Sequence, residues 1–163
     1  MEYLRDALPI GIGATALMDL WGAVRAPLFG FARLDYGLLG RWVGGMPRGH
    51  FRHASITTAT PVAGERIIGW TAHYLIGIAF AALLLAVSGA DWLEQPTITP
   101  ALLVGIGTTA APLLIMQPAM GLGVAASRAP RPNAARLQSL LSHTIYGLGL
   151  YAAAWISRAL VIR

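Results

Sequence analysis

The chain has no cysteine and no lysine, and only 12% of its residues are charged. Without cysteine there is no disulfide, iron–sulfur cluster, thiolate metal site or thiol nucleophile, so His, Asp, Glu and Met are the remaining side-chain ligands. Without lysine, all twelve basic residues are arginine, and the net charge of +5 rests on groups protonated at any accessible pH. A Gly-x-Ser-x-Gly elbow, an HExxH pair and a phosphate-binding loop are also missing, which leaves hydrolytic and nucleotide chemistry without a motif. The chain therefore reads as non-enzymatic.

What is present is apolar. Hydrophobic residues make up 56% of 163 positions and the mean hydropathy is +0.60, too apolar for an ordinary soluble domain. Four windows meet the requirement of about 20 apolar residues for a bilayer span: 7–29, 67–89, 99–117 and 139–162. The expectation is one integral membrane domain over 1–163, an all-α bundle of four transmembrane helices. Pro112 falls inside the third window and predicts a kink there. The N-terminal stretch carries Glu2 and Asp6 against Arg5 and has Asp19 in its apolar part, unlike a cleavable signal peptide, so the first helix is expected to be retained.

Arginine placement predicts orientation. The segment 30–66 holds Arg33, Arg41, Arg48, Arg52 and Arg66, and 118–138 adds Arg128, Arg131 and Arg136. By the positive-inside rule both loops face the cytoplasm, which leaves both termini periplasmic in a bacterial inner membrane. Arginines confined to loops beside apolar spans argue against a nucleic-acid partner. Within the first loop, Leu34, Leu38, Leu39, Trp42 and Val43 recur at helical spacing, as in a short helix lying in the membrane interface. Arg48, His50, Arg52 and His53 then cluster where anionic lipid headgroups are the expected partner. The two histidines have a metal-like spacing, but the adjacent arginines repel a cation, so no metal is expected there.

The spans also repeat. Gly11-Ile12-Gly13-Ala14-Thr15-Ala16 aligns with Gly105-Ile106-Gly107-Thr108-Thr109-Ala110, and both His73 to Gly77 and His143 to Gly147 read His-x-x-x-Gly. Two parallel αα repeats would be related by an axis along the membrane normal.

An aspartate at the centre of a span costs about 2.5 to 3.5 kcal/mol on insertion scales, so Asp19 should face the protein interior. Asp19, Thr15, His73, Gly77, His143 and Gly147 all lie on stripes of small residues where helices approach closely. In the orientation above, Asp19, His73 and His143 fall about 5 to 15 Å from the cytoplasmic face, within reach of one polar layer. That layer reads as interhelical locking or a small-ligand or proton site. The alternatives are a bis-histidine haem b on His73 and His143, a divalent metal held with Asp19, an apolar ligand such as a quinone, and a proton-coupled transport path in a homo-oligomer. A larger membrane complex is the other partner this reading allows.

The segments GIGATALMD from Gly11, GRWVGGMPRG from Gly40, GERIIGWTAHYLIG from Gly64, MQPAMGLGVAA from Met116 and SLLSHTIYGLGLY from Ser139 together resemble a family of small bacterial membrane proteins known as domain of unknown function 2938. The resemblance covers nearly the whole chain. It implies a bacterial integral membrane protein of about four spans and carries no catalytic residues.

Overall fold

The computed structural model describes residues 2–29 and 34–161. Arg33, which enters the orientation argument, and Ile162 at the edge of the fourth window lie outside the described residues. Among the described residues there is no strand, and five helices account for most of the chain. They are α1 (Glu2–Phe29), α2 (Tyr36–Gly45), α3 (Glu65–Ser88), α4 (Ile98–Ala119) and α5 (Pro132–Val161).

Arg5–Leu28, Glu65–Ser88 and Ile98–Ala119 are long and apolar enough to cross a membrane. Only 28%, 28% and 22% of the residues in their most apolar windows are buried, so most residues of those windows keep some exposed surface. Leu20, Leu28, Leu75, Val87 and Leu103 are each more than half exposed. Apolar area on this scale is not stable against water and fits a lipid solvent.

Pro112 reshapes α4. Proline has no N–H, and its ring would strike the carbonyl four residues back in a regular α-helix. The helix widens into a π segment over Ala111–Met116, starting beside the proline, before resuming at Gln117. α5 begins at Pro132, well before the first residue of the fourth window, because proline suits a first helical turn, where no donor is needed.

Contacts divide the chain into two compact units, with the division falling inside α3, α4 and α5. The first unit comprises 1–33, 74–108 and 141–163. Its core joins Ala7, Ile10, Ala14, Ala81, Leu84, Leu85, Ala101, Tyr146, Leu150 and Ala154. Small residues let these helices meet backbone to backbone. A Cβ on Gly11 would lie 2.5 Å from Cα of Ile78, and one on Gly105 would lie 2.5 Å from Cα of Gly147. The 3-10 turn Ala90–Leu93 buries Trp92, whose indole N–H donates to the Thr97 carbonyl at 3.2 Å.

The second unit comprises 34–73 and 109–140. Asp35 caps α2 by accepting from the Gly37 N–H at 2.9 Å. The short helix expected in the first loop is therefore present. Its Leu39 packs with Ile56 and Met120, while Gly40 faces the first turns of α3, so this helix serves the unit's own core. The loop after α2 is pinned by backbone pairing, His53 N–H to the Ala119 carbonyl at 2.8 Å and Ile56 N–H to the Met120 carbonyl at 3.0 Å. Gly121, at φ +91°, sits where any Cβ would strike the Ala54 carbonyl.

Candidate functional site

Each polar residue inside the apolar helices needs a partner where water is absent. Asp19 on α1 hydrogen-bonds Tyr74 on α3, both in the first unit. Thr15, one turn earlier, is fully buried, and its Oγ1 stands where a side chain on Gly77 would go. A β-carbon at residue 77 is thus excluded by the threonine.

His143 on α5 meets Thr108 on α4, with Nδ1 3.0 Å from Oγ1. The threonine hydroxyl has one proton, and it donates this to the Gly105 carbonyl at 2.7 Å. Oγ1 must then accept from His143, which places the imidazole proton on Nδ1. Phe80 and Tyr146 stand beside the ring, at 6.5 and 6.4 Å between centroids. Tyr146 is buried and donates its hydroxyl to the Gly77 carbonyl at 2.6 Å. Gly147 receives the backbone of α4 at Ala101 and Gly105.

His73 belongs to the second unit. It is 9% exposed, and its ring stacks on Tyr36 at 4.2 Å and 26°, with Trp70 closing the group at 6.0 Å. The residues expected to share one layer thus have identified neighbours of their own: Tyr74 for Asp19, Thr108 for His143 and Tyr36 for His73. Among the described residues no three His, Asp or Glu side chains are grouped so as to hold a metal ion.

The expected headgroup cluster divides by exposure. Arg48, His50 and Arg52 are exposed, whereas His53 is half-buried, its Nε2 sealed from solvent and without a hydrogen-bond partner among the described residues. The two histidine rings are 6.5 Å apart. Arg66, Arg128, Arg131 and Arg136 are also exposed, so six arginines of the second unit present charge to the surroundings.

Arg41 is the exception. Its Nε and Nη2 donate to both carboxylate oxygens of Glu65 at 2.8 Å, and Nη1 donates to the carbonyls of Ile56 and Ala59 at 3.1 and 3.0 Å. The carboxylate also accepts from the Val62 N–H at 3.0 Å. This fork ties α2, the following loop and the start of α3 together, and the hydrogen bond to Glu65 raises the guanidinium pKa above its usual value. Nothing in the sequence signals a pair 24 positions apart. Arg25, buried to 2% exposure inside α1, is a second residue missed from sequence; an arginine within an apolar window is itself a flag.

A cavity of about 430 Å³ opens in the first unit, lined by Asp6, Ile10, Leu93, Glu94, Ala154, Ser157 and Arg158. It gathers the start of α1, the turn before α4 and the end of α5. No motif links its three charged residues.

Residues 8–157 match the family model described as protein of unknown function (DUF2938), and the chain belongs to that family. No curated protein and no solved structure matches the chain.

Proposed function

We propose that this member of the DUF2938 family is a non-enzymatic, four-span accessory protein of the bacterial inner membrane whose basic loops rest on anionic lipid headgroups. The observation that carries this reading is the segregation of charge. The second unit has Arg41, Arg48, Arg52, Arg66, Arg128, Arg131 and Arg136 against Asp35 and Glu65, while the acids and arginines of the first unit are equal in number. A bilayer imposes such asymmetry when basic loops stay cytoplasmic.

The fourth span is α5. At 30 residues it is about 45 Å long at 1.5 Å per residue, more than the hydrocarbon thickness. It buries Ser142 and Tyr146 and exposes Leu148, Trp155, Ile156 and Leu160, as a helix does when lipid surrounds it. The two αα repeats are supported by a close glycine crossing in each pair, Gly11 against Ile78 and the Gly77 carbonyl, and Gly105 against Gly147 and the His143 carbonyl. If the repeats are equivalent, Gly11→Ala and Gly105→Ala will lower the thermal midpoint by similar amounts, whereas a fivefold disparity in unfolding free energy would count against them. In this reading Asp19, His73 and His143 lock helices, each through its protein neighbour.

Orientation is tested by alkaline phosphatase fusions after Ala63, Glu94 and Arg163. The first is expected to be inactive and the other two active; the reverse pattern overturns the topology. The lipid contact is tested by melting the purified chain in detergent with phosphatidylglycerol. A rise in midpoint that disappears when Arg48, Arg52, Arg128 and Arg131 become Gln supports it, and an unchanged rise removes it.

A further inference from the structure

The cavity in the first unit has a mixed lining with an unspent charge pattern. Ile10, Leu93 and Ala154 supply apolar wall, and Asp6, Glu94 and Arg158 bring two carboxylates and one guanidinium to it. Among the described residues, neither carboxylate forms a hydrogen bond or ion pair, and Arg158 has only Trp155, with its Cζ 5.1 Å from the ring centroid. A cation–π contact orients a guanidinium without neutralising it. The volume lies in the range of about 300 to 1,000 Å³ in which small ligands are held.

The charges choose the ligand. A simple cation would face Arg158, and a simple anion would face Asp6 and Glu94. A molecule carrying both an ammonium and an acidic group satisfies all three, since each ionised partner then gains a charge-assisted hydrogen bond at its own end. The apolar wall adds room for a hydrocarbon portion. We propose that this cavity binds a zwitterionic aminophosphate joined to an apolar chain, its ammonium at Asp6 and Glu94 and its phosphate at Arg158. The same headgroup chemistry could arrive on a membrane lipid or as a free small molecule. The site does not depend on the orientation or on the basic loops proposed above.

The test uses the full chain in a nonionic detergent, with dihexanoyl phosphatidylethanolamine, dihexanoyl phosphatidylglycerol and O-phosphoethanolamine as calorimetric probes. The ethanolamine lipid is expected to bind, and binding should weaken at least tenfold in the Asp6→Asn/Glu94→Gln double variant and in Arg158→Gln. Ser157→Phe, which fills the cavity from an uncharged position, should do the same. Circular dichroism and an unchanged melting midpoint verify that each variant is folded. Phosphoethanolamine binding as tightly as the lipid identifies a soluble ligand, and binding of the lipid alone identifies a membrane source. Phosphatidylglycerol should respond to the loop arginines and be indifferent to the cavity variants, which separates failure of this site from failure of the loop reading. Absence of binding by both ethanolamine probes, or affinities within twofold of wild type in all three variants, overturns the proposal.

Discussion

Gly69→Ala is expected to destabilise the chain by about 3 kcal/mol, the upper part of the range for overpacking, and Gly40→Ala by a similar amount. Both glycines sit at the crossing of α2 and α3, where a Cβ on Gly69 would coincide with the Tyr36 carbonyl and one on Gly40 with the Glu65 carbonyl. The obstructing atoms are backbone, so no side-chain rotation relieves the clash, and the helices must separate. Separation also withdraws Tyr36 from His73 and Arg41 from Glu65. The double variant should cost less than the two single costs added, because helices already parted by the first methyl accommodate the second. Thermal melting in detergent measures each value. Gly22→Ala and Gly107→Ala provide the contrast: nothing lies within 4 Å of a Cβ at either residue, and alanine favours a helix by up to about 1 kcal/mol. Equal melting of the Gly69 and Gly22 variants would refute the backbone crossing.

Arg41→Ala should release the loop between α2 and α3. It removes four hydrogen bonds of 2.8 to 3.1 Å at once, two to Glu65 and one each to the carbonyls of Ile56 and Ala59, with a longer one to the Thr57 carbonyl at 3.5 Å, and among the described residues leaves the partly enclosed carboxylate with only the Val62 N–H. Limited proteolysis within 49–64 is expected to accelerate at least tenfold while the helices of the first unit stay protected. Arg41→Lys should restore little, since a single ammonium cannot span a carboxylate and two carbonyls in one plane. Full protection in the lysine variant would mean that charge alone, and not the fork, holds the loop.

The helices were legible because hydropathy and length respond to the solvent. A bilayer demands about 20 apolar residues with internally satisfied backbones, and the first three windows match α1, α3 and α4 closely. The fourth window falls on α5, but Pro132 and Asn133 begin that helix before the apolar stretch, and among the described residues α5 is not one of the three helices long and apolar enough to cross a membrane. Pro112 was readable as a break in regular geometry, but whether a helix bends or widens depends on what packs around it. Leu39, Trp42 and Val43 announced α2 by spacing, whereas its burial against Ile56 and Met120 needed the loop path.

The polar residues show the same divide. Asp19 was conspicuous as an acid in an apolar run, and His143 as a histidine on a small-residue stripe. Their neighbours Tyr74 and Thr108 were not conspicuous at all, being two among many hydroxyls. The cavity escaped notice because Asp6, Glu94 and Arg158 come from three distant segments whose charges resemble ordinary span flanks.

By itself the sequence determined where the helices run, which residues are costly in an apolar medium, and on which loops the arginines accumulate. Those properties depend on local composition, and each residue contributes to them wherever it is packed. Tertiary structure alone decided that Arg41 serves Glu65 and not the lipid, that Gly40 and Gly69 mark a crossing, and that three remote charges line one cavity. Partnership depends on crossing angle and register, which shift with every neighbouring side chain, so a polar group's need for a partner is written in its chemistry while the partner's identity is not.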